Sequence, residues 1–307
     1  MERHVILCSM VVTVSVVFLL FFQSSITGKE SNTAQTALTA IEPDENEFFY
    51  PSSKDRLESL RKTIYENTDD KIDLTQFEVD LRKSLADGKI SAWQNLVPKL
   101  TREECAQMPT SELAGVCFST SLFTRLLLIY DRPVYAFSAA KIRCPCYEEL
   151  FRRDDLWKGV LSAYSLYSSG LNPKGEPNDV IDAVMGLSNL PLFFQYPKMR
   201  QQLEGREILF IRAQLEALKK FRSFITDDED ESLVSSSPFF KLTTSISLVN
   251  YSLVLIQKIS ADKSKSVIDN ISKLRLSRTP KMKEIKNYVD VSLAEIEKYV
   301  KSYKDDK

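Results

Sequence analysis

Four cysteines offer the chemistry that this sequence suggests most directly. They lie close together in the chain, in the stretch 105–146: Cys105, Cys117, Cys144 and Cys146. Cysteines at such spacings in an oxidising compartment form disulfides. We predict two bridges, one between Cys117 and Cys146 and one between Cys105 and Cys144. A pairing in which Cys144 and Cys146 exchange partners stays open, because a shift of one residue in the intervening turn would produce it.

Two other uses of these thiols fit the sequence less well. The spacing C-x11-C-x26-C-x-C differs from the common zinc-site patterns, so a zinc ion held by all four cysteines is the weaker alternative. The Cys144-Pro145-Cys146 motif could exchange disulfides with other proteins, since neighbouring thiols do so. It is not the C-x-x-C of thioredoxin-like proteins, however, and no βαβ pattern surrounds it.

The remaining residue types exclude several classes of site. The single histidine, His4, precedes the body of the chain, which removes histidine-based catalysis and histidine-ligated metals. The acidic run 227–231 lacks the spacing and the glycine of a calcium loop. Glu148 and Glu149 could serve a hydrolase, but adjacent acids on a helix are typically solvated. We therefore predict no catalytic, cofactor-binding or metal-binding residue.

A helical hairpin is the element that would position the four cysteines. The run Leu113 to Tyr130 is apolar on most sides, which indicates a buried helix. Asp131-Arg132-Pro133 ends it, and Pro133 can begin a second helix that runs to about Arg143, before Pro145. Residues equidistant from such a turn face each other in an antiparallel pair. Cys117 and Cys146 meet this condition.

The rest of the body also has helical signals, and we predict an all-α fold, either an irregular multi-helix bundle or stacked helical hairpins. Capping patterns begin at Ser52, Thr75 and Thr101. Only 8 glycines occur, fewer than strand-rich folds usually need. The segment 242–256 favours strand by propensity, yet its apolar run after Pro238 indicates a central buried helix. Prolines 197, 238 and 280 each begin a helix, at nearly equal spacing.

The N-terminus indicates a compartment. Residues 5–22 are predominantly apolar and carry no charge, and the length of this run lies between that of a secretory signal and that of a membrane-spanning helix. We interpret 1–28 as an uncleaved anchor, with 5–24 as one helix contacting the membrane, or as a cleaved signal, and a helix buried in the body is the weaker alternative. Arg3 precedes this run and acidic residues follow it, which places the N-terminus in the cytoplasm and the body outside. Residues 29–51 are predicted to be a flexible polar linker, and 52–307 a single helical domain.

Two functional hypotheses follow from these features. The first is a membrane-tethered or secreted interaction or scaffold protein, with tyrosine and phenylalanine side chains partly lining a groove for an unknown protein or peptide. The second is an extracytoplasmic enzyme, either a thiol–disulfide catalyst at Cys144/Cys146 or a carboxylate-based hydrolase. Lys+Arg 41 against Asp+Glu 42 gives no basic surface for nucleic acid.

Overall fold

The structure, a computed structural model, describes six ranges of the chain: 48–66, 73–86, 96–130, 132–172, 175–225 and 238–303. Within them the chain is helical almost throughout, with one two-stranded antiparallel sheet. This confirms the predicted all-α class. The predicted N-terminal helix 5–24 and the acidic run 227–231 lie outside the described residues, as does most of the predicted linker.

The elements follow one another with short connections. The first half contains β1 (Phe48–Phe49), α1 (Lys54–Tyr65), α2 (Thr75–Ala86), α3 (Arg102–Gln107), α4 (Thr110–Phe118), α5 (Leu122–Ile129), α6 (Pro133–Arg143) and α7 (Pro145–Arg152). The second half contains α8 (Leu156–Ser169), α9 (Pro177–Asn189), a 3-10 helix (Leu190–Gln195), α10 (Pro197–Leu203), α11 (Glu207–Phe224), α12 (Pro238–Ile259), α13 (Ala261–Ile271), β2 (Leu276–Ser277) and α14 (Met282–Ser302).

Local signals in the sequence set many of the helix starts. Proline occupies the first position of α10 and α12, as predicted, because its fixed φ suits that position and its missing N–H is not needed there. The capping box at Thr101 is also confirmed. The Thr101 hydroxyl accepts from the Glu104 N–H at 3.1 Å, and the Glu104 carboxylate accepts from the Thr101 N–H at 2.8 Å.

The predicted helix from Leu113 to Tyr130 is wrong in one respect, because it is broken into α4 and α5, which meet at 61°. Side chains at the break bond back to the preceding turn. The Ser119 hydroxyl donates to the Val116 carbonyl at 2.9 Å, and the Thr120 hydroxyl donates to the Cys117 carbonyl at 3.0 Å. Such local bonds compete with the helical ones, so the chain turns here, well before Pro133.

A second predicted helix is also interrupted. The apolar stripe after Pro197 indicated one long helix, but α10 ends at Leu203 and α11 begins at Glu207. Gly205 lies between them with a φ of 73°. Only glycine adopts this left-handed conformation without steric cost, so it permits a change of direction that periodicity does not reveal.

Helix α12 forms the centre of the body. Every residue from Leu248 to Ile256 is buried, which is typical of a helix surrounded by protein on all sides. Helices α1, α9, α11, α13 and α14 pack around it. The prediction of a buried central helix is confirmed, and packing here outweighs the strand propensity of its threonine, isoleucine and valine residues.

Helix α12 is also long and apolar enough to cross a membrane. Its most apolar stretch is 72% buried inside the body. A core helix of a soluble protein has the same length and composition, so this property alone assigns no topology.

The segment before α1 is fixed to β2 and to α12. Phe48 and Phe49 pair with Ser277 and Leu276 in the antiparallel sheet. The Asn250 amide donates to the Pro51 carbonyl at 3.0 Å. These contacts involve residues 48–51, the last part of the predicted linker.

Ser52 does not cap α1 as predicted. The cap is Ser53, whose hydroxyl accepts from the Arg56 N–H at 3.4 Å. Ser52 is instead fully buried and shares a hydrogen bond of 2.6 Å with the Tyr288 hydroxyl. The sequence pattern located the helix start within one residue but gave no sign of this distant partner.

The first turn of α14 is held by a carboxylate. Glu284 accepts hydrogen bonds from the Lys281 N–H at 2.9 Å, from the Ser277 N–H at 3.1 Å and from the Ser277 hydroxyl at 2.9 Å. Burial alone would raise the pKa of Glu284, but these hydrogen bonds together lower it below its ordinary value. The ionised side chain therefore stabilises the junction between β2 and α14.

Candidate functional site: the buried thiol cluster

Three helix contacts bring the four cysteines of the body together. Cys105 lies on α3, Cys117 on α4, Cys144 immediately before α7 and Cys146 within α7. Helix α7 packs against α3, α4 and α6. All four side chains are buried, with exposed fractions of 0–1%. The sequence predicted that these cysteines meet. The first helix of the predicted hairpin is divided into α4 and α5, and Cys117 lies on α4.

The sulfur atoms form one connected group. Cys144 Sγ lies 3.1 Å from Cys146 Sγ. Cys146 also contacts the Cys117 thiol, and Cys105 lies close enough to Cys144 for that sulfur to raise its pKa. Both predicted pairs are thus neighbours within the cluster.

None of the four cysteines is bridged in the structure, where they are free thiols. Cys144 and Cys146, whose sulfur atoms are in contact, are a pair that our prediction did not join. It is close because Cys144 is extended, with φ −139° and ψ 116°, and Pro145 then begins α7, so both side chains lie at one helix start. The two predicted bridges therefore stay a prediction for the oxidised protein.

The environment keeps these thiols protonated. Burial raises the pKa of Cys105 and of Cys117. The pKa of Cys144 is raised first by its hydrogen bond with Cys146 and then by burial. The pKa of Cys146 is raised mainly by its hydrogen bond with Cys117. Because the thiolate is the nucleophile in disulfide exchange, the raised pKa values and the burial both lower the reactivity of these thiols in the folded chain.

Arg153 holds α3 over the cluster. Its guanidinium donates to the carbonyls of Met108 at 2.6 Å, Cys105 at 2.8 Å and Ala106 at 3.3 Å. Glu149 orients it through a contact of 3.1 Å with Nε. These bonds satisfy carbonyls at the end of α3 that the helix itself leaves unpaired. Nothing in the local sequence pattern distinguishes this arginine from the charged residues beside it.

Aromatic rings lie beneath the thiols. The Tyr147 hydroxyl donates to the Cys117 carbonyl at 2.9 Å. Phe193, which is fully buried, lies within 4.8–5.8 Å, centroid to centroid, of four other phenylalanine rings: Phe118, Phe123, Phe137 and Phe151. Phe48 and Tyr50 are the exposed phenylalanine and tyrosine in the described part of the chain, and other rings, among them Phe77 and Tyr130, are half-buried at the edge of the core.

The described residues support neither a zinc site nor a pair of catalytic carboxylates. No group of three or more histidine, cysteine or acidic side chains there is placed to hold a metal ion, so the zinc alternative is not favoured. Glu148 pairs with Arg102 at 3.0 Å, and Glu149 pairs with Arg152 and Arg153. The two acids are thus engaged by cations rather than facing each other across a cleft.

Comparisons with known proteins assign no family. No protein-family model, no curated protein and no solved structure matches the chain.

Proposed function

We propose that this chain is a non-enzymatic helical interaction or scaffold protein that works outside the cytoplasm. In this proposal residues 5–24 form the N-terminal hydrophobic helix and anchor the chain, or are removed as a signal. The observation that supports it best is the complete burial of the four cysteines of the body, which lie together where α3, α4 and α7 meet. The most reactive side chains of the sequence then serve the core, and the partner is a protein or peptide bound elsewhere.

The compartment gives these thiols a structural role. Outside the cytoplasm the four cysteines would form the two predicted bridges, Cys117–Cys146 and Cys105–Cys144, or the exchanged pairing. Bridges that close loops of this size stabilise by about 3–4 kcal/mol each in the chain-entropy model. They would join α3 and α4 covalently to the start of α7, where the same elements already pack.

Non-reducing peptide mapping of the full chain, taken from the compartment where it resides, tests this role. We expect two bridges among the four cysteines. Four free thiols would overturn both the pairing and the compartment. Carbonate extraction tests the anchor: an intact N-terminus in the soluble fraction contradicts it, and loss of the N-terminus by mass spectrometry supports signal cleavage.

The interaction itself is tested by affinity capture with the body of the chain, residues 29–307. A specific partner should be retained by the native body and lost when the same body is unfolded by heat before capture, because the binding surface depends on the fold. Binding that is equal for both forms would indicate non-specific adsorption and would contradict the proposal.

One observation favours the enzymatic alternative. The distance of 3.1 Å between Cys144 Sγ and Cys146 Sγ would suit a thiol pair that closes and opens a disulfide. Reduction of insulin disulfides by the full chain separates the two functions. Turnover that Cys144→Ser abolishes would replace our proposal, whereas the same residual rate in wild type and variant supports it. Cys117→Ser is the matched control, since it alters the cluster and leaves the close pair intact.

A further inference from the structure

Two segments of the chain have the pattern Asn-x-Ser, which is the acceptor sequence for N-linked glycosylation. They are Asn250-Tyr251-Ser252 and Asn270-Ile271-Ser272. The pattern is short and the chain has ten asparagines, so two matches carry little information by themselves. The structure distinguishes the two segments, because a folded protein carries an oligosaccharide only at its surface.

Asn250 lies at the centre of the body. It belongs to the stretch of α12 in which every residue is buried, and only 4% of its surface is exposed. Its amide nitrogen donates to the Pro51 carbonyl at 3.0 Å. A sugar on this nitrogen has no space between the packed helices and would keep α12 out of the core. A chain modified at Asn250 therefore does not reach the described fold.

Asn270 lies at the surface, in the last turn of α13. Val267, Ile268 and Ile271 face the body and are buried, whereas Asn270 is exposed. Its side chain forms no hydrogen bond with a described residue. An oligosaccharide attached here would extend into solvent and leave the packing of α13 intact.

Ser272, the third residue of the pattern, determines when the transfer takes place. It ends α13, where its N–H donates to the Ile268 carbonyl at 2.8 Å, and its hydroxyl is buried in the folded chain. The pattern requires a hydroxyl at this position because the transferring enzyme recognises it. The reaction must therefore take place on the nascent chain, before α13 packs.

We propose that Asn270 carries an N-linked oligosaccharide and that Asn250 does not. This inference rests on the compartment proposed above, since the transfer takes place outside the cytoplasm. The donor is an oligosaccharide joined through a diphosphate to a membrane lipid. Asn270 Nδ2 forms a bond to C1 of the first sugar and loses one proton, while the bond from C1 to the diphosphate oxygen breaks and the lipid diphosphate leaves. The transfer needs no oxidant or reductant.

Mass spectrometry of the full chain, produced in a eukaryotic secretory pathway, tests the site. Peptide N-glycosidase releases the sugar and converts a modified asparagine to aspartate, so each position is scored separately. We expect conversion at Asn270, and none at Asn250 in the fraction that resists limited proteolysis. Asn270→Gln and Ser272→Ala should each abolish the modification, and Ser272→Thr should keep it. Asn287→Gln is the matched control, because it alters an exposed asparagine of α14 that lies outside the pattern.

The state of the cysteines in the same sample distinguishes two kinds of failure. Bridged cysteines with unmodified Asn270 would overturn this inference alone, because the chain has then reached an oxidising compartment. Four free thiols with unmodified Asn270 would overturn the proposed compartment and this inference with it. Modification of Asn250 in folded chains, or loss of the modification with Asn287→Gln, would also contradict the proposal.

Discussion

Two glycines that lie in helices should respond in opposite directions to the same substitution. Gly186 lies in α9 against Tyr167 of α8, and a Cβ atom added there would fall 2.4–2.5 Å from three atoms of the tyrosine ring. Gly115 lies in α4, and a Cβ atom there would meet nothing within 4 Å. Both changes to alanine remove the same backbone flexibility. The difference between their effects on stability therefore measures the steric clash at Gly186.

The magnitudes follow from these distances. Glycine to alanine inside a helix stabilises by about 0.5–1 kcal/mol when the site is open, which is the expectation for Gly115→Ala. At Gly186 the added methyl must displace a ring that is only 7% exposed and that packs on Phe118, with centroids 6.3 Å apart. Overpacking of this kind costs about 1–3 kcal/mol, which exceeds the backbone gain. Gly186→Ala should therefore destabilise the protein.

Urea unfolding of the full chain, followed by far-UV circular dichroism, measures both changes. The midpoint should rise for Gly115→Ala and fall for Gly186→Ala, with the slope unchanged. Tyr167→Leu in the Gly186→Ala background should recover part of the loss by removing the ring. If Gly186→Ala stabilises the protein as much as Gly115→Ala does, the packing of α8 on α9 is not as described.

Further predictions concern the core, the buried polar contact and pH. Phe193→Ala should destabilise by about 3–5 kcal/mol in the same urea assay, whereas Phe48→Ala, at a side chain that is 51% exposed, should change little. Ser52→Ala and Tyr288→Phe should each cost about 1–3 kcal/mol and combine to less than their sum; strict additivity in a double-mutant cycle would refute their contact. Glu284→Gln should destabilise the protein at neutral pH, where wild-type Glu284 is ionised. The difference in free energy of unfolding between wild type and variant should vanish as the pH falls through the lowered pKa of Glu284, because only the ionised side chain stabilises the fold. A difference that does not depend on pH would contradict this.

Sequence reasoning succeeded where a local signal determines a local structure. Pro197 and Pro238 begin helices because proline suits that position whatever surrounds it, and the box at Thr101 is complete within four residues. The central helix was predictable because its apolar run leaves no polar face for solvent. Each of these inferences needs only neighbours in the chain.

The sequence-based predictions that are wrong concern residues whose partners are distant in the chain, or side-chain hydrogen bonds that compete with the helical ones. Ser119 and Thr120 end a helix through their own side chains, although the same residue types occur inside α12. The sequence around Gly205 is equally compatible with a continuous helix, because it does not reveal the positive φ of this residue. The role of Arg153 depends on α3 folding back over α7, which no periodicity encodes. The prediction that the cysteines meet succeeded because four of them share one short stretch.

The contacts of the segment 48–53 make the folding of this chain depend on its order of synthesis. The Ser52–Tyr288 hydrogen bond joins residues 236 positions apart, and the Asn250–Pro51 bond spans 199. At the usual rate of translation, roughly 10–50 s pass between the appearance of Ser52 and that of Tyr288. For most of this interval β1 has no strand to pair with, and α12, once it has been made, still lacks α14 on one side. The first residues of the body are therefore among the last to reach their final positions, and α12 stays uncovered on one side until α14 has been made.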